Sequence, residues 1–117
     1  MSELTYLIIP AQPTASTIIR QCTFADAYEV MRGTVGGYIE LVSLKMADMY
    51  INEDGKLHDL PVNSRATQLA WVDSAIHYDD TIVGDVIVFG KANQVGDETS
   101  ITPEFRSHLL RVLGGRA

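Results

Sequence analysis

Five residues between positions 36 and 65 have the chemistry to hold a small ligand: Gly36, Gly37, Tyr38, Asn63 and Arg65. Adjacent glycines let a ligand approach bare backbone N–H groups, and a tyrosine ring can stack on a planar group. An asparagine amide can pair with a base edge, and a guanidinium can clamp a phosphate through two donors. We therefore predict a ligand-binding site for a nucleotide-like molecule, with Tyr38, Asn63 and Arg65 converging around one hollow.

Each of these residues also has an ordinary structural alternative. Gly36-Gly37 is typical of a joint between a helix and a strand, Tyr38 of the edge of a core, and Asn63 of a helix N-cap. Arg65 would then be simply exposed. Trp71, the only tryptophan, would lie in the core or at an oligomer interface. The sequence alone leaves both interpretations open.

Patterns for metal binding and for nucleophilic catalysis are missing from the sequence. His58, His77 and His108 are far apart, and no HxxxH or CxxC pair occurs. No serine lies in a GxSxG turn, and there is neither a Walker loop nor a GxGxxG motif. The enzymatic alternative is a hydrolase or lyase that uses carboxylates such as Glu40 and Asp85. We predict no catalytic residue, no metal and no cofactor, and favour a non-enzymatic protein.

Length and charge limit the class of protein. The 117 residues predict a single domain, and 46% hydrophobic with 21% charged residues is typical of a globular protein. The net charge of -6 argues against binding a nucleic-acid backbone. The one cysteine, Cys22, excludes an internal disulfide and is expected to be a buried thiol. Neither a signal peptide nor a run of roughly 18 apolar residues is recognisable, so we expect a soluble cytosolic protein.

The hydrophobic pattern and the turn residues predict five strands. They cover residues 4–10, 17–21, 38–44, 46–51 and 81–90. The last strand is apolar on both faces, which predicts a central position in the sheet. Gly84 within it indicates a bulge or the close approach of another backbone. Asn52-Glu53-Asp54-Gly55 predicts a turn.

Three helices are predicted between these strands. The first begins at Thr23 as N-cap, ends at Gly33 and is expected to bury one face, formed by Phe24, Ala27, Tyr28 and Met31. The second runs from Asn63 to about Val72 with Ala66, Leu69 and Ala70 inward. The third begins at Thr102-Pro103 and buries Phe105, Leu109 and Leu113. The fold class is therefore an α+β domain, with two or three helices packed on a mainly antiparallel sheet.

Four short motifs in this order resemble the family called domain of unknown function 3846. They are Gly36-Gly37-Tyr38-Ile39-Glu40, Asn52-Glu53-Asp54-Gly55-Lys56-Leu57, Leu60-Pro61-Val62-Asn63 and Gly84-Asp85-Val86-Ile87-Val88-Phe89-Gly90. The helix start at Ile101-Thr102-Pro103-Glu104 is also similar. The resemblance covers most of the chain from Tyr28 onward. It departs from the family at Asp59, where a glycine is expected.

The resemblance implies a small protein of bacteriophages and mobile elements, without an established activity or catalytic residues. The first hypothesis is a non-enzymatic anti-defence sponge that binds a small nucleotide-like signal in the cytoplasm of a bacterial host cell. The alternative is a protein-interaction module that inhibits a host enzyme, with its acidic residues meeting a basic partner. A homo-oligomer is expected if a ligand is bound, because small domains often form pockets at subunit boundaries.

Overall fold

A five-stranded antiparallel sheet with helices on both faces organises the protein, and a computed structural model describes residues 3–117. The strands are β1 (Glu3–Ile9), β2 (Ile18–Thr23), β3 (Ile39–Ser43), β4 (Ala47–Asn52) and β5 (Val86–Gly90). The helices are α1 (Ala27–Val35), α2 (Ser64–Val72) and α3 (Pro103–Leu113). Short 3₁₀ turns cover Phe24–Asp26 and Gly114–Arg116. The predicted α+β fold is confirmed.

The strand that comes last in the sequence lies in the middle of the sheet. The order is β2-β1-β5-β4-β3, so β5 joins the β1–β2 hairpin to the β3–β4 hairpin. Val88 of β5 lies opposite Leu7 on one side and Met49 on the other. All five residues of β5 are buried, which confirms its predicted central position.

Side chains that alternate along the strands supply two separate cores. Leu7, Val86 and Val88 pack with α2 and α3 on one face of the sheet. Ile87 and Phe89 pack with α1 on the other face. Cys22 lies in this second core, where burial, and then the nearby carboxylates, raise the pKa of its thiol. The protein therefore has three layers, and residues on α1 and on α2 lie on opposite sides of the sheet.

The strand predicted over residues 81–90 is shorter than expected. Only Val86–Gly90 is extended within the sheet, because residues 82–84 pair with the chain just before α2. Gly84 N–H donates to the Pro61 carbonyl at 2.7 Å, and Asn63 N–H donates to the Ile82 carbonyl at 2.8 Å. Gly84 has φ +80°, and a Cβ there would lie 2.8 Å from Leu60 Cδ1. The predicted close approach at Gly84 is confirmed.

The first helix differs from its prediction at both ends. Thr23 caps a 3₁₀ turn before α1 begins, and α1 continues past Gly33 to Val35. Its buried residues are Ala27, Met31 and Val35, whereas Phe24 and Tyr28 are exposed. Gly33 lies on the open side of the helix, where a glycine costs only about 1 kcal/mol relative to alanine. Burial of Val35 outweighs that cost.

The other two helices begin where the sequence predicts. Asn63 caps α2 by accepting from Ala66 N–H, and Ala66, Leu69 and Ala70 are buried. Thr102 caps α3 by accepting from Phe105 N–H, and the buried residues of α3 are Phe105, Leu109 and Leu113. Among residues 3–117, no helix is both long enough and apolar enough to cross a membrane.

Candidate functional site

Asn63 belongs to the protein interior. Its side chain is 0% exposed, and its amide nitrogen donates to the carbonyls of Ile9 at 2.8 Å and Gly84 at 2.9 Å. Its amide oxygen accepts from Ala66 N–H at 3.1 Å. These bonds join the end of β1, the chain before β5 and the start of α2. The Asn63 amide therefore performs a structural role, as the capping alternative predicts.

Arg65 lies beside Asn63 and is also buried, with 3% of its surface exposed. Its guanidinium donates to the carbonyls of Pro10, Gln12 and Arg116 at 2.8, 3.1 and 3.0 Å. Burial, and then the positive charge of Arg116, lower the pKa of Arg65 from its usual value. The expectation of an exposed Arg65 is wrong, because this side chain satisfies backbone carbonyls from both ends of the chain.

We call the region of Asn63, Arg65, Ile9, Pro10 and Gly84 the buried junction. It lies at the start of α2, which packs on one face of the sheet. Tyr38 lies elsewhere, against α1, which packs on the other face. The expected hollow shared by Tyr38, Asn63 and Arg65 therefore does not form.

The three remaining predicted residues, Gly36, Gly37 and Tyr38, lie together at the end of α1. Gly36 has φ +80°, and its N–H donates to the Arg32 carbonyl at 2.9 Å, which ends the helix. Gly37 faces Asn52, whose Nδ2 would lie 3.0 Å from an added Cβ. Tyr38 is 60% exposed. This geometry confirms the helix-to-strand joint and leaves the Tyr38 ring open to solvent.

Arg32 completes this group, although it is not among the binding residues predicted from the sequence. Its guanidinium carbon lies 4.3 Å above the centre of the Tyr38 ring, and its Nε donates to the Gly37 carbonyl at 3.3 Å. A shallow depression beside it is lined by Tyr28, Glu29, Arg32, Gly33, Gly36 and Gly37. We call these residues, with Tyr38, the Arg32–Tyr38 surface. An arginine in the last helical turn before Gly-Gly-Tyr is the sequence signal that could have indicated it.

A second concavity lies between strands β3 and β4 and the segments 53–57 and 76–83. This cavity has a volume of about 140 Å³. Its apolar lining is formed by Val42, Ile51, Leu57, Ile76, Ile82 and Val83. Its charged residues are Glu40, Glu53, Asp54, Asp80 and Lys56. We call it the carboxylate-rimmed cavity.

One ion pair neutralises part of this rim. Lys56 donates to Asp80, and this hydrogen bond is the main reason that the pKa of Asp80 is lowered. Glu40, Glu53 and Asp54 have no ion pair with a basic side chain within residues 3–117. The rim therefore carries an excess of negative charge. Residues from two of the four family-like motifs, 36–40 and 52–57, contribute to the lining.

The carboxylates of the enzymatic alternative lie in different surroundings. Glu40 lines the cavity, whereas Asp85 lies outside its lining and accepts a hydrogen bond from Ala11 N–H at 2.8 Å. In the described part of the chain, no three His, Cys, Asp or Glu side chains are close enough to share a metal ion. The arrangement offers binding surfaces, and it does not pair Glu40 with Asp85 for acid–base chemistry.

Comparison with known proteins identifies a family. The family described as "Domain of unknown function (DUF3846)" matches residues 5–114, which is nearly the whole chain. No curated protein and no solved structure matches the chain. The family match confirms the resemblance of the four motifs and extends it from Tyr28 back to residue 5.

Proposed function

The chain belongs to the DUF3846 family, whose description assigns no activity, and we propose from its surface chemistry that it is a non-enzymatic binding protein. Its ligand is a small, planar anion of the nucleotide type. The ligand binds at the Arg32–Tyr38 surface, which keeps Gly36, Gly37 and Tyr38 as ligand-binding residues. Asn63 and Arg65 support the fold.

The observation that carries this proposal is the stacking of Arg32 on an exposed aromatic ring. The Tyr38 ring holds the guanidinium in place, and Nε is fixed by the Gly37 carbonyl. Within residues 3–117, Arg32 makes no ion pair, and neither terminal nitrogen donates a hydrogen bond. These two nitrogens can therefore bind a phosphate, while a flat base can stack on the exposed part of the Tyr38 ring.

Glycines keep this surface open. An added Cβ at Gly33 or Gly36 would meet no atom within 4 Å, so the space above both residues is empty. A ligand in the depression can approach the backbone of both residues closely. The other concavity is a poor site for phosphate, because its excess of carboxylates would repel an anion.

In the phage setting that the resemblance implies, the protein would lower the free concentration of a nucleotide signal of the host cell. Such a sponge needs no catalytic group, because binding alone removes the signal. The proposal keeps the expected homo-oligomer, in which a second copy would complete the shallow depression as a pocket.

Thermal unfolding in the presence of a panel of nucleotides tests the proposal. A ligand that binds the folded state raises the melting temperature, and the rise grows with ligand concentration. We expect Arg32→Gln to abolish the rise. The matched control Arg106→Gln changes an exposed arginine on α3 and should leave the rise intact. No shift with any nucleotide at saturating concentration would refute the proposal.

Protein interaction is the second candidate function, and exposed apolar side chains near the carboxylate-rimmed cavity favour it. Leu57 is 83% exposed and Tyr78 is 80% exposed, on the two segments that border the cavity. Affinity purification from a bacterial lysate separates the two functions. A stoichiometric protein partner supports interaction, whereas a copurifying small molecule supports ligand binding.

A further inference from the structure

We propose that the free edge of β3 and the carboxylate-rimmed cavity beside it form one site for an extended peptide segment carrying a lysine or arginine. The peptide backbone pairs with β3, and the basic side chain enters the cavity. This site is separate from the Arg32–Tyr38 surface and does not depend on the proposed nucleotide binding.

Within residues 3–117, no strand pairs with the outer side of β3, which is the last strand of the sheet. Glu53 N–H donates to the Tyr38 carbonyl, and Leu44 N–H donates to the Ala47 carbonyl, both at 2.9 Å. Residues 38 and 44 therefore direct their backbone groups toward the β4 side. Because this direction alternates along an antiparallel strand, Ile39, Leu41 and Ser43 direct their N–H and C=O groups outward.

The strand β3 has few of the features that protect an edge, and its one charged residue is Glu40, which lines the cavity. The strand contains neither proline nor lysine, and its pairing with β4 runs without a bulge from Ile39–Asn52 to Ser43–Asp48. Leu41 is 51% exposed at its centre. A free edge strand without proline, lysine or a bulge can pair with an additional strand.

The cavity lies on one face of the same strand. Glu40 and Val42 alternate with the outward-bonding residues and line the cavity. In a peptide paired with β3, the residues opposite Glu40 and Val42 point to this same face. One side chain of the peptide is thus directed at the cavity by the pairing itself.

The lining of the cavity selects the chemistry of that side chain. Its aliphatic residues fit the apolar stem of lysine or arginine, and the carboxylates of Glu40, Glu53 and Asp54 fit the cationic head. Lys56 is paired with Asp80, and none of these three carboxylates forms an ion pair among residues 3–117. The occupant is therefore a basic extended segment.

The probe is a fluorescent peptide of alternating threonine and valine with one central lysine, and the readout is anisotropy. We expect saturable binding that weakens at least about tenfold when norleucine replaces the lysine. N-methylation of the peptide amides that face β3 should abolish binding, because it removes the backbone donors. Butylamine, at the same concentration as an unlabelled lysine peptide, should not displace the fluorescent peptide.

Two variants locate the site on the protein. Glu40→Gln should weaken binding of the lysine peptide by about tenfold and leave the norleucine peptide unchanged. The matched control Glu104→Gln changes an exposed carboxylate on α3 and should have no effect. Because Glu40 is exposed, its variant is expected to fold, and circular dichroism checks this.

Changes in the amide chemical shifts of the protein on addition of the peptide show where the peptide binds. Perturbation centred on Ile39, Leu41 and Ser43 supports the proposal. Perturbation centred on β2, the other edge, overturns it. The proposal is also overturned if there is no saturable binding at millimolar peptide, if the norleucine peptide binds equally well, or if butylamine competes as effectively as the lysine peptide.

Discussion

Asn63 and Tyr38 both carry polar groups that could contact a ligand, but the structure uses them in opposite ways. In the buried junction, Asn63 is completely enclosed and all its amide groups bond to the backbone. On the Arg32–Tyr38 surface, the Tyr38 ring is largely exposed and holds a guanidinium whose terminal nitrogens donate no hydrogen bond within residues 3–117. Buried polar groups are almost always bonded internally. A polar residue is thus available for a ligand only if the fold leaves it unsatisfied.

Replacing Asn63 should have the largest effect. Asn63→Ala removes the α2 cap and leaves two carbonyls without a donor, so we expect a loss of about 3 kcal/mol in unfolding free energy. Asn63→Asp keeps an acceptor for Ala66 N–H but cannot bond both carbonyls, and it should also be strongly destabilising. Urea unfolding measures both changes. A loss below about 1 kcal/mol for Asn63→Ala would show that the junction is not structural.

Two glycines with the same backbone φ angle, one in each region, allow the packing of the two regions to be compared. Gly36 and Gly84 both have φ +80°, but only Gly84 has a close neighbour, Leu60 Cδ1. Alanine at either position should cost about 1–2 kcal/mol because of the left-handed backbone. Gly84→Ala should cost about 1 kcal/mol more, because Leu60 must move. Equal losses in urea unfolding would contradict the tight packing at Gly84.

Replacing Tyr38 should change binding far more than stability. Tyr38→Ala removes an exposed stacking contact, so we expect a stability change below about 1 kcal/mol. The same change should abolish the nucleotide-induced rise in melting temperature. Tyr38→Phe retains the ring and should retain most of the rise. If Tyr38→Ala unfolds as readily as Asn63→Ala, the contrast between the two regions fails.

The smallest predicted effect on stability comes from the ion pair between Lys56 and Asp80. Burial lowers the pKa of Arg65, whereas pairing with Lys56 lowers the pKa of the partly exposed Asp80. Because the folded pKa of Asp80 lies below its ordinary value of 3.8, the pair stabilises the protein above that pH. This contribution is lost as the pH falls through the folded pKa.

Lys56→Met should therefore return the pKa of Asp80 toward its ordinary value, as followed by carboxyl NMR titration. The stability difference from the unmodified protein should be small, because both side chains are more than one-third exposed. It should vanish at acid pH. An unchanged Asp80 titration in Lys56→Met would show that the ion pair does not form in solution.

Local signals in the sequence predict several elements well. Asn63 and the Thr102-Pro103 pair mark the starts of α2 and α3, because capping and helix initiation depend on neighbouring residues. The strand predicted over 81–90 is too long because its first half pairs with residues near 62, and that contact is not local. The prediction that Phe24 and Tyr28 are buried is wrong. Phe24 lies in the 3₁₀ turn before α1, and the buried residues of α1 follow a narrow i, i+4 stripe that leaves Tyr28 outside it.

The sequence by itself determined the α+β class, the position of most elements and the family. Only the tertiary structure decided which candidate residues remain free to bind. The fold places the Arg65 guanidinium against three backbone carbonyls, whereas the terminal nitrogens of Arg32 donate no hydrogen bond within residues 3–117. This difference follows from burial, because a side chain enclosed between distant segments must satisfy their backbone groups and an exposed one need not.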